Sequence, residues 1–186
     1  MRGRGVHGAP GATFTAGVRN VPRIGAIAVS EPFRILVLCT GNSARSQIVE
    51  ALLATRGGGR VQAASAGSKP ASRVNPYAIE VLREHGITWT EREPKAIDAF
   101  DGERFDLVLT VCDNARDACP FFPGARTQVH WGLPDPADAA SPDAARRAFR
   151  TTYAELERRI DALLALPLES MDPATLAARA GALAAS

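Results

Sequence analysis

The segment Cys39-Thr40-Gly41-Asn42-Ser43-Ala44-Arg45-Ser46 places a thiol, small residues and a permanent cation in one short stretch. If a strand ends at Cys39 and a helix begins near Arg45, the backbone N–H groups between them can converge on one point. The helix dipole adds partial positive charge there, which favours an oxyanion. The same field favours thiolate, and such sites lower a cysteine's pKa from about 8.5 into the range ~3.5 to 7.5. Thr40, Gly41, Asn42, Ser43, Ala44 and Arg45 are thus the expected oxyanion-binding residues, with Arg45 gripping two oxygens through its planar fork. Ser46 is placed to donate a hydrogen bond to the thiolate, and Asn42 suits a loop position with positive φ. The plain alternative is a buried strand-end cysteine followed by a turn. That alternative would win for an isolated Cys-x5-Arg; a strand before, a helix after, and Gly with Asn inside the loop favour chemistry instead. The absence of Gly-Lys-Ser/Thr excludes a Walker-type phosphate loop.

The elements that must hold this loop are legible around it. Ile35 to Leu38 is a short apolar run of the kind buried on both faces of a sheet, and order is expected from Arg34. Ser46 to Ala54 carries Ile48, Val49, Leu52 and Leu53 at helical spacing and is closed by Gly57, Gly58 and Gly59. Further strands are predicted at Val61 to Ser65, Phe105 to Val111 and Thr127 to Trp131. A helix opens at Asn75-Pro76 and stops at Gly86, where His85 suits a helix end. A long helix is predicted from about Pro142 to Leu166, its apolar stripe including Phe149, Leu156 and Ile160. Strands alternating with helices imply an α/β fold with a parallel sheet covered on both sides, whose ligands bind at the carboxyl ends of the strands. Trp89 and Trp131 are expected to be packing residues.

Composition narrows the function classes. The chain has 186 residues, 46% hydrophobic and 23% charged, which favours one domain plus tails, and its mean hydropathy is near zero. No apolar run approaches the roughly eighteen residues of a membrane span. Three cysteines are too few, and odd in number, for a secreted disulfide framework, so a cytoplasmic protein with chemically active thiols is expected. Net charge is +2, but Arg2, Arg4, Arg19 and Arg23 against Glu31 make a local +3, leaving −1 for the remainder. The body therefore has no basic field for nucleic acid. Residues 1–33 are Gly- and Arg-rich without periodicity and are expected to be a disordered extension, most simply explained by a start codon assigned too early. The folded domain is expected over 34–166. Residues 167–186 read as a short Ala-rich helix opened by Asp172-Pro173, with no chemistry assigned.

CTGNSARSQ from Cys39, SAG at 65–67, VNPYAIE at 74–80, TVCDNARDACP at 110–120 and HWGLPDPA at 130–137 together resemble the thioredoxin-coupled arsenate reductases. These share the low-molecular-weight protein tyrosine phosphatase fold, a flavodoxin-like single domain with a four-stranded parallel sheet. The resemblance spans 34 to about 166. The Cys39 loop is common to ordinary phosphatases, whereas the pair Cys112 and Cys119 is the specific part. In the order this fold implies, strand three neighbours strand one, so Cys112 can approach Cys39 and thiolate attack on sulfur becomes a local step. Cys119 must then reach Cys112, which needs some unwinding of the intervening segment. Zinc held by the cysteines is a weaker reading, wanting tighter spacing and His130 as a fourth ligand. The resemblance also implies that Asp135 handles the proton on the leaving oxygen, although Asp-Pro is common at turns. Asp138 has no counterpart and is read as surface charge. Glu50 and Ser65 match positions that some relatives use near a potassium ion. Lys95 either places its ammonium where that ion would lie or is simply solvated.

The implied activity is reduction of arsenate to arsenite. Cys39 is the nucleophile, Arg45, Ser46 and Asp135 assist it, and Cys112 and Cys119 form a relay regenerated by thioredoxin or a similar dithiol protein. No bound cofactor or metal and a monomeric state are expected. The rivals are a phosphatase for phosphotyrosine or small phosphomonoesters using Cys39, Arg45 and Asp135, and a non-enzymatic oxyanion or redox sensor.

Overall fold

The computed structural model describes residues 31–90, 92–112 and 121–185. The first strand, β1 (Phe33–Cys39), is apolar on both faces because both are covered. Phe33, Ile35, Val37 and Cys39 turn to one core, and Leu36 and Leu38 to another. The helix α1 (Arg45–Arg56) follows, one residue earlier at its start and two later at its end than the periodicity predicts. Its end is set by Gly57, whose N–H donates to the Leu53 carbonyl, and by left-handed Gly58 and Gly59.

The chain then returns as β2 (Val61–Gly67), pairing in parallel with β1 from Phe33↔Val61 to Cys39↔Gly67. This register sets Gly67 beneath the start of the loop after β1. A Cβ there would lie 2.5 Å from the Thr40 carbonyl oxygen, so the close approach requires glycine. The helix α2 (Pro76–Glu84) has Asn75 as N-cap, its side chain accepting from the Tyr77 N–H, with Pro76 in the first turn as expected.

Strands β3 (Leu107–Thr110) and β4 (Gln128–His130) complete a parallel sheet in the order β2-β1-β3-β4. Both are shorter than predicted. Phe105 makes only an isolated bridge to Ala125, and Thr127 and Trp131 fall outside the ladder. Because β2 and β3 flank β1, strand order reverses between β1 and β3, and the loops leaving these strands meet there.

The long helix α3 (Pro142–Leu164) and the C-terminal helix α4 (Pro173–Ala182) pack with α1 and α2 into the larger core. Asp172 caps α4 by accepting from the Ala174 and Thr175 N–H groups. On the opposite face, among the described residues, Leu36, Leu38 and Val108 are covered by Phe105, Phe122 and the 3₁₀ turn Ile97–Phe100. No helix among the described residues is long and apolar enough to cross a membrane. Residues 1–30 and 113–120 lie outside the described residues. Within the expected N-terminal extension of 1–33, Phe33 is already the first residue of β1.

Candidate active site

The loop from Cys39 to Arg45 is bent into a cradle by bonds to its carbonyls. Cys39, Thr40 and Gly41 accept from the N–H groups of Ser68, Lys69 and Ala71, and Ser43 accepts from Asn75, the cap of α2. A carbonyl held outward in a planar trans peptide turns the next residue's N–H the opposite way. The segment 68–75 thus pulls the carbonyls to one side and leaves the amides the other, the polarity an oxyanion needs.

Asn42 has φ +47°, the left-handed conformation expected for it. Its N–H donates to Cys39 Sγ at 3.0 Å, and its Nδ2 donates to Ser46 Oγ at 3.0 Å and Ser65 Oγ at 2.7 Å. With Ser46 Oγ already accepting, the Ser46 hydroxyl hydrogen is available to Cys39 Sγ, 2.9 Å away. Ser65 donates onward to Glu50 Oε2 at 2.5 Å. A hydrogen-bonded chain therefore links the buried Glu50 carboxylate to the thiol, with the Asn42 amide at its centre donating toward both ends.

Lys95 takes part in the same cluster. Its N–H donates to Asn42 Oδ1 at 2.7 Å, and its Nζ lies 3.5 Å from Glu50 Oε2, so the ammonium is beside the buried carboxylate and not simply solvated.

Arg45 and Asp135 meet across ninety residues of sequence. Arg45 Nη2 pairs with Asp135 Oδ2, and Nη1 donates to the Leu133 carbonyl at 2.6 Å. Arg45 Nε is buried without a hydrogen-bond partner, leaving one charged donor uncommitted. Asp135 is also the N-cap of the 3₁₀ turn Pro136–Asp138, accepting from the Ala137 N–H. Cap and ion pair together fix the carboxylate.

Cys112 stands just beyond β3, buried, its Sγ 3.4 Å from Thr40 Oγ1. The Cys112 thiol is therefore brought to the loop that follows Cys39, as the expected strand order requires. Cys119 lies outside the described residues. No metal-holding group of three or more His, Cys, Asp or Glu occurs among the described residues, and His130 Nδ1 instead lies 2.8 Å from Thr110 Oγ1.

One expectation is corrected. The Cys39 thiol is raised above its ordinary value, with burial the largest cause. The hydrogen bonds from Ser46 and the Asn42 N–H oppose burial, Cys112 adds to it, and Arg45 contributes the least. Arg45 does lower the thiol, but its guanidinium is shared with the Asp135 carboxylate and its effect is too small to offset burial.

Sequence reasoning missed the Leu133 carbonyl and the donors of 68–75, which are backbone groups and carry no side-chain signal. The pattern of the low molecular weight phosphotyrosine protein phosphatase family matches residues 34–174. An arsenate reductase of Halalkalibacterium halodurans is 40% identical over 127 residues, covering 68% of this chain and 91% of its own. Among solved structures, a thioredoxin-dependent arsenate reductase of Corynebacterium glutamicum aligns with TM-score 0.54 and 29% identity over 72% of this chain and 62% of its own. An arginine phosphatase of Geobacillus stearothermophilus aligns with TM-score 0.57 and 29% identity, covering 72% and 91%.

Proposed function

The chain belongs to the low molecular weight phosphotyrosine protein phosphatase family, and within it we propose that this protein reduces arsenate to arsenite through a three-cysteine relay. The Cys39 sulfur attacks arsenic while Arg45 and the loop amides hold the oxygens, and Asp135, released from Arg45 by the bound oxyanion, passes the proton that the thiol gives up to the departing hydroxyl oxygen, which leaves as water. The Cys112 thiolate then attacks Cys39 Sγ. A sulfur–sulfur bond forms, and the electron pair of the breaking sulfur–arsenic bond stays on arsenic, so As(V) becomes As(III) as two thiols become one disulfide. Cys119 attacks Cys112, freeing the Cys39 thiolate, and thioredoxin or a similar dithiol protein reduces the Cys112–Cys119 disulfide.

The observation that carries this reading is the buried Cys112 thiol against Thr40 of the nucleophile's loop. Hydrolysis of a phosphoester has no use for it. The named activities of the Halalkalibacterium halodurans and Corynebacterium glutamicum relatives support the same assignment.

A phosphatase is the second reading, favoured by the completeness of Cys39, Arg45 and Asp135 without any second thiol. Cys112→Ser separates the two. It should stop arsenate-dependent oxidation of NADPH through a thioredoxin system and spare aryl-phosphate hydrolysis. Wild-type arsenate turnover by this variant would end the reductase reading. Cys39→Ser should abolish both activities, and a protein that binds arsenate without turnover would be a sensor.

A further inference from the structure

The loop carbonyls of Cys39, Thr40, Gly41 and Ser43 are held by backbone N–H groups, whereas the Asn42 carbonyl accepts from a side chain, Gln47 Nε2, at 3.1 Å. Gln47 is buried on α1, and its Nε2 also lies 3.3 Å from Asn42 Oδ1. A glutamine amide can present either end, so something must decide which end faces Asn42. The Trp89 indole Nε1 donates to Gln47 Oε1 at 2.8 Å. Indole nitrogen only donates, so it must take the oxygen, and the NH₂ is directed at Asn42.

We propose that Gln47 and Trp89 are positioning residues of the anion loop, with the indole orienting the carboxamide and the carboxamide holding the Asn42–Ser43 peptide plane. With the Asn42 carbonyl held toward Gln47, the Ser43 N–H of the same trans peptide points away from Gln47. Without that donor a buried carbonyl loses its partner, and rotating the peptide to find another turns the Ser43 N–H with it. Trp89 is buried where the chain leaves α2, and the Arg92 guanidinium lies 4.4 Å from its ring centroid. Its bulk fills the core, but its N–H serves the loop. The proposal rests on the reading of this loop as an oxyanion site and not on the redox steps that follow.

Trp89→Phe keeps an aromatic ring and deletes the donor; Gln47→Met keeps the length and deletes all three amide contacts. The probe is inorganic phosphate, measured as the concentration that half-protects Cys39 from iodoacetamide, with the thermal midpoint recorded on the same samples. Each variant should need roughly two- to tenfold more phosphate, the size of one net hydrogen bond. The double variant should need no more than Gln47→Met alone, because the indole acts only through the amide. A packing role would move the thermal midpoint and leave the phosphate concentration where it was. That result in both single variants, or a double variant equal to the product of the singles, overturns the proposal. If Gln47→Met does not fold, Trp89→Phe decides alone. Failure of phosphate to protect the wild type would instead overturn the oxyanion site itself.

Discussion

Asp135 and Arg45 neutralise each other beside a thiol that burial has already raised, and this pairing makes the chemistry of Cys39 conditional. Under the proposed mechanism an oxyanion competes with Asp135 for Arg45, so that binding the substrate would also release the carboxylate for proton transfer. Asp135→Asn removes the competing charge and leaves the Arg45 cation facing the loop. The pH profile of Cys39 alkylation should therefore move to lower pH than in the wild type, while kcat for aryl-phosphate hydrolysis falls about 10²- to 10⁴-fold through loss of the acid. A profile that stays in place would show that the ion pair does not control the thiol.

The raised thiol also has a stability consequence of definite sign. A folded pKa above the unfolded one means that the Cys39 contribution is fully present below the unfolded pKa and is lost as pH rises through the folded pKa. Cys39→Ser should thus lose less stability than the wild type between neutral pH and the alkaline side of the thiol range, read from urea midpoints.

At the scale of elements, α4 has a clear structural task. The Trp131 indole, fully buried just beyond β4, donates to the Ala180 carbonyl at 2.8 Å, and Leu176 is buried against the same core. Leu176→Ala should cost about 2–5 kcal/mol in chemical denaturation, the usual range for deleting a buried leucine. A cost below about 1 kcal/mol would mean that α4 is only loosely docked. The other element-level prediction concerns the crossing of β2 beneath the loop. Gly67→Ala would press a methyl on the Thr40 carbonyl and the Asn42 N–H, both backbone groups that cannot swing aside. Its activity should fall more steeply than its thermal midpoint, and a fully active Gly67→Ala protein would show that the loop can shift without penalty.

For the whole molecule, every described member of the site lies between Cys39 and Asp135, and the family match begins at residue 34. Deleting residues 1–30 should leave arsenate turnover and the thermal midpoint nearly unchanged. A large fall in either would assign those residues a role in the folded enzyme.

What could be read without the structure was what depends on neighbours along the chain. A strand, a loop of small residues and a helix are contiguous, so Cys39, Asn42 and Arg45 were legible together, as were the Asn75-Pro76 and Asp172-Pro173 helix starts, because capping is settled within a few residues. Placing Cys112 near Cys39 needed only the strand order implied by the family resemblance. The partners that tune the site come instead from distant segments: Asp135 and Leu133 on Arg45, residues 68–75 on the loop carbonyls, and Trp89 on Gln47. The direction of the Cys39 shift belongs to this second class. Local dipoles argue for lowering it, but desolvation depends on all the side chains that pack over the sulfur, and only the tertiary structure decides which effect is larger.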